Sequence, residues 1–103
     1  HGGRNLDTAV ATIDALPRIA QRVAKRIPVL LDGGIRRGTD VVKAIALGAD
    51  AVLIGRPYVH GLAVNGADGV AGVIAILRRE LEMAMALMGR STLAALDRAA
   101  IWS

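Results

Sequence analysis

Along the chain, apolar residues recur first at helical spacing, then in short unbroken runs, then at helical spacing again. Leu16, Ile19, Ala20, Val23 and Ile27 fall on one side of a helix. Asp14 is placed to cap it, Pro17 sits in its first turn, where a missing N–H is tolerated, and Pro28 ends it. Val29-Leu30-Leu31 has no polar alternation, the pattern of a parallel strand buried on both faces, and Gly33-Gly34 closes it. Thr39 or Asp40 starts a second helix through Val41, Val42, Ala44, Ile45 and Leu47, with Gly48 at its C-terminal cap. Ala51-Val52-Leu53-Ile54 reads as a second buried strand. From about Asp68 a longer helix carries Val70, Val73, Ile74, Leu77, Leu81, Ala84, Met85 and Met88 on one broad face, with Arg78, Arg79, Glu80 and Glu82 mostly outside it. Gly89 ends it, and Ser91 can cap a short terminal helix through Asp97.

The order helix, strand, helix, strand, helix predicts an α/β fold with parallel strands. Two strands do not close a sheet, and a (β/α)8 barrel takes roughly 250 residues. The expectation is therefore one segment, residues 1–103, forming the C-terminal part of a TIM barrel: its last two strands and flanking helices. The chain opens on His1, with no initiator Met and a chemically loaded motif at once, as a piece of a longer protein would.

Composition narrows the picture further. Hydrophobic residues make up 53% of the chain but aromatics only 2%, so the core is aliphatic, with Met83, Met85 and Met88 as packing residues. Net charge is +4, from arginines spread along the chain. With Tyr58 and Trp102 as the only aromatics, base stacking has little support, and no nucleic-acid partner is expected. Without cysteine there is no disulfide framework or thiolate metal site, and no metal is expected. A cytoplasmic setting is compatible with this, and membrane association of the intact protein is left open. The longest uncharged apolar run, Val70 to Leu77, is too short to span a bilayer.

Three motifs carry chemistry, and all fall at or after expected strand ends, where barrel enzymes place it. Gly33 and Gly34 let the backbone approach a ligand closely. Backbone N–H groups there and at the start of the next helix favour an anion, and Arg36 adds a forked cation suited to phosphate. Gly55-Arg56 repeats the combination after the next strand. Asp32 can bond a ribityl or ribose hydroxyl or orient the glycine loop. In His1-Gly2-Gly3-Arg4 the imidazole can take a proton near neutral pH and the guanidinium can clamp a carboxylate. Arg37 diverges from Arg36 if the loop alternates. His60 reads as surface or packing, Asp7 as structural, and Arg18, Arg22, Lys25 and Arg26 as a solvated helix face.

His1-Gly2-Gly3-Arg4-Asn5-Leu6-Asp7, Asp32-Gly33-Gly34-Ile35-Arg36-Arg37-Gly38-Thr39-Asp40-Val41, Lys43-Ala44, Ala46-Leu47-Gly48-Ala49 and Gly55-Arg56-Pro57 closely resemble the FMN-dependent α-hydroxy acid oxidases and dehydrogenases. Gly61-Leu62-Ala63 and Gly69-Val70 also look like that family, while Asn5 departs from its usual Gln. The resemblance implies a barrel with FMN across its C-terminal mouth. It makes His1 the base, Arg4 the substrate-carboxylate residue, and Asp32, Gly34, Arg36, Gly55 and Arg56 the FMN ribityl and phosphate contacts. The implied reaction is oxidation of an L-2-hydroxy acid such as lactate, glycolate or mandelate, and the implied assembly is a homotetramer. It further implies that the N-terminal part of the same barrel supplies other site residues, so these 103 residues alone are expected neither to turn over nor to hold FMN tightly. Other phosphate-binding barrels, IMP dehydrogenase-like or flavin isomerase, share the glycine and arginine logic without needing His1 and Arg4. An inactive phosphate-binding fragment is a further alternative.

Overall fold

A computed structural model describes residues 1–102. Helix α1 (Thr12–Val23) leads to strand β1 (Leu30–Leu31), α2 (Gly38–Ala46), β2 (Ala51–Val52) and the long α3 (Arg56–Leu87), followed by two short 3-10 turns. The strands pair in parallel, Leu30 opposite Ala51 and Leu31 opposite Val52, so α2 is a crossover between neighbouring strands. That is the strand–helix–strand unit the alternation predicts.

Several boundaries differ from the sequence reading. Helix α1 begins at Thr12 with Ala11 at its N-cap, so Asp14 lies within the first turn. It ends at Val23, because Ala24 and Lys25 turn left-handed and the Arg26 guanidinium takes the carbonyls of Arg22 and Val23. Ile27 is thus outside the helix and exposed. Helix α2 starts at Gly38, one residue before Thr39. The expected terminal helix is a 3-10 turn at Leu93–Ala95 and another at Arg98–Ala100.

The largest difference is α3, which starts at Arg56 and not near Asp68. Its backbone leaves helical geometry at Asn65 and Gly66, dividing a short limb (56–64) from a long one (67–87). A continuous helix would separate Gly61 from Gly69 by about 12 Å at 1.5 Å per residue. Instead a Cβ on Gly61 would lie 2.6 Å from the Gly69 carbonyl oxygen, so the limbs double back and cross at two glycines. By length and apolar composition α3 could cross a membrane, but this break interrupts it.

Leu16, Leu31, Ile35, Ala44 and Ala49 form the core between α1, the sheet and α2. Val42, Ala46 and Leu77 are buried as α2 meets α3. The strands are not buried on both faces: in β1 Leu31 is 3% exposed but Leu30 58%, and Leu53, just past β2, is 54% exposed. Successive strand side chains point to opposite faces, and only the helix-facing side is covered here.

A carboxylate on β2's lead-in fixes the register. Asp50 N–H donates to Val29 O at 2.7 Å, while Val29 N–H donates to the Asp50 carboxylate at 2.8 Å. Lys25 reaches the other carboxylate oxygen at 2.9 Å, so Lys25 is not simply solvated. The Val29 N–H, helped by Lys25, holds the Asp50 carboxyl below its ordinary value of 3.8. A depressed folded-state value adds stability above the unfolded value, and that stability is lost as pH falls through the folded one. Acid unfolding of Asp50→Asn should therefore lose part of the pH dependence below 3.8 that the parent shows. Identical pH profiles for parent and variant would rule Asp50 out as a contributor.

Candidate active site

One concavity of about 1050 Å3 opens at the C-terminal ends of the two strands. Its lining includes His1, Arg4, Asp32, Gly34, Arg36, Gly55 and Arg56. Every residue singled out from sequence for chemistry therefore faces the same space. His60 is exposed and lies outside it, and Arg37 is not among the lining residues.

The local structure explains the placement. The chain leaves β1 through Asp32 into Gly33 and Gly34, with φ of +89° and +79°. Side chains rarely adopt two successive left-handed conformations, which is why glycines stand there. The terminal ammonium of His1, the first residue of this chain, lies 3.1 Å from both carboxylate oxygens of Asp32. A Cβ on Gly33 would come within 2.9 Å of the His1 Cβ, so the ring's base rests against a bare backbone. Thr12 secures the same turn by donating its hydroxyl to Asp32 O at 2.5 Å. Sequence reading missed both the Gly33 contact and Thr12. The only available signal for Thr12 was its place just before an apolar helical repeat.

The N-terminus of α2 corrects one expectation. The N–H groups of Arg36 and Arg37 donate to Asp40 Oδ2 at 3.0 and 2.9 Å. The Gly38 N–H donates to Glu80 Oε2 at 2.8 Å. These three helix-start amides already bond carboxylates, whereas Arg4, Arg36 and Arg56 line the concavity. Arg4 and Asp7 both line the concavity, and no ion pair joins them among the described residues.

Residues 1–103 match the family model described as FMN-dependent dehydrogenase. The chain belongs to the FMN-dependent dehydrogenase family. Among its relatives, L-lactate oxidase from Nostoc sp. is 60% identical over 97 residues, which is 94% of this chain and 27% of the relative. Human 2-hydroxyacid oxidase 1 is 52% identical, covering 95% of the chain and 26% of the relative. The solved lactate oxidase of Pediococcus acidilactici superposes with a TM-score of 0.90 at 47% identity, over 95% of this chain and 27% of that one. A mandelate oxidase variant carrying an FMN adduct gives 0.90 at 49% identity, over 95% and 31%. These structural neighbours are FMN-dependent oxidases of TIM-barrel type. The chain spans about a quarter of the length of the relatives it matches.

As a member of the FMN-dependent dehydrogenase family, the chain has residues that suit the cofactor. Nothing stands within 4 Å of where a Cβ on Gly34 or Gly55 would lie, so both leave open floor in the concavity. Arg36 and Arg56 bring cations to its wall from adjacent strand ends. Open backbone beside forked cations is what a phosphate on a flexible ribityl chain requires.

Proposed function

We propose that this segment supplies the last two strands and flanking helices of a (β/α)8 barrel enzyme that oxidises an L-2-hydroxy acid to the 2-oxo acid. The observation that carries the reading is the shared concavity. A proton acceptor (His1) and a carboxylate clamp (Arg4) face the same space as two glycine-arginine anion grips.

Arg36 and Arg56, with the backbone at Gly34 and Gly55, would hold the FMN phosphate, and Asp32 a ribityl hydroxyl. When bound, FMN supplies the two-electron acceptor that no amino-acid side chain provides. Arg4 pairs with the substrate carboxylate and anchors that end of the substrate in the space His1 faces. His1 takes one proton from the substrate as the C–O bond becomes C=O. The Gly33 backbone, against the His1 Cβ, limits where the ring can lie. The rest of the barrel completes the walls that exclude water.

Full-length protein is expected to carry a flavin absorbance spectrum that bleaches anaerobically on adding L-lactate, glycolate or L-mandelate. A flavin left oxidised by every 2-hydroxy acid in such a panel would end this reading.

A further inference from the structure

Arg36 and Arg37 are adjacent and chemically identical, yet only Arg36 lines the concavity. Elementary chain geometry makes neighbouring side chains diverge, but it does not decide which one turns inward. The outward arginine has a partner from a distant part of the chain. From the long limb of α3, Glu80 accepts from the Gly38 N–H at 2.8 Å through Oε2 and pairs with Arg37 Nη2 at 2.8 Å through Oε1. Its side chain is only 26% exposed, so it is held against the helix pair. Gly38 allows this approach, because a Cβ there would collide with the backbone nitrogen of Leu81. Asp40 holds the loop from the other side, through the N–H groups of Arg36 and Arg37.

We propose that Glu80 is a positioning residue for the anion grip: by holding Arg37 and the Gly38 amide on the outer face of α2, it leaves Arg36 as the inward cation and denies a competing anion the helix start. The inference rests on the flavin reading above. The folded-state carboxyl of Glu80 is held below its ordinary value, mainly by Arg37 and then by the Gly38 N–H, as a committed anion should be. Glu80 is not among the residues lining the concavity, so its effect must pass through the loop.

The test compares flavins with and without phosphate on full-length apoprotein. Fluorescence titration with FMN and with riboflavin gives an affinity ratio that reports the phosphate grip alone. Glu80→Gln should lower this ratio by roughly five- to tenfold, which corresponds to about 1–1.4 kcal/mol. Arg37→Gln should do the same, and the double variant should lose little more, because both act through one contact. Glu82→Gln, which removes the exposed pair with Arg78, should leave the ratio unchanged. If Glu80→Gln and Arg37→Gln weaken both flavins equally, or only lower the melting temperature, Glu80 is merely structural and the inference fails. A parent protein that binds neither flavin would instead remove the flavin reading itself.

Discussion

Replacing His1 with glutamine in the full-length protein should lower kcat by about 10²–10⁴-fold, the range a positioned proton acceptor contributes. Flavin should remain bound, because the phosphate grip proposed for Arg36 and Arg56 is built on other elements. Glutamine fills much of the imidazole's volume and still reaches a hydroxyl, but it cannot take a proton near neutral pH. The measurement is steady-state turnover beside the flavin absorbance of the same sample. Turnover within a few-fold of the parent, with flavin retained, would remove His1 as the proton acceptor.

Removing both arginine grips should have the opposite signature. Arg36→Met with Arg56→Met keeps the side-chain bulk and deletes the cations. Each charge-assisted contact to a phosphate is worth roughly 1.5–3 kcal/mol, so the pair should weaken FMN binding by at least about 10²-fold. The purified variant should be pale, and riboflavin, which lacks the phosphate, should bind it about as well as it binds the parent. The correction at the α2 N-terminus makes this loss large. With the amides of Arg36, Arg37 and Gly38 already bonded to Asp40 and Glu80, there is little helix-end reserve to replace the guanidinium groups. A yellow double variant with parental FMN affinity would show that the phosphate is held elsewhere.

Much of this site was legible from sequence because its residues lie beside signals of another kind. Asp32, Gly34, Arg36, Gly55 and Arg56 follow apolar runs that announce buried strands, so their place at strand ends came with the strand reading. His1 and Arg4 were legible only through glycine spacing and resemblance, since no preceding strand lies within the chain. What escaped notice depends on contacts between distant residues. In sequence Glu80 is one of four charges mostly outside the apolar face, and only the fold shows it seated on the α2 N-terminus. The short limb of α3 was hidden by its composition: Pro57, Gly61, Asn65 and Gly66 all read as turn residues. Pro57 is tolerated in the first turn, and Gly61 is present for the crossing. Burial of both strand faces was predicted from a pattern that holds for a complete sheet, whereas Leu30 and Leu53 face outward from the described helices.

The crossing of Gly61 over Gly69 also carries a cost for this protein's capacity to vary. The limb it locks in place starts at Arg56, so one extra methyl group at either glycine would act as a wedge at the far end of a rigid rod whose tip is the cation proposed to grip the cofactor. Mutational libraries of the intact protein should thus be depleted at two inconspicuous, chemically silent positions about as severely as at the charged residues themselves.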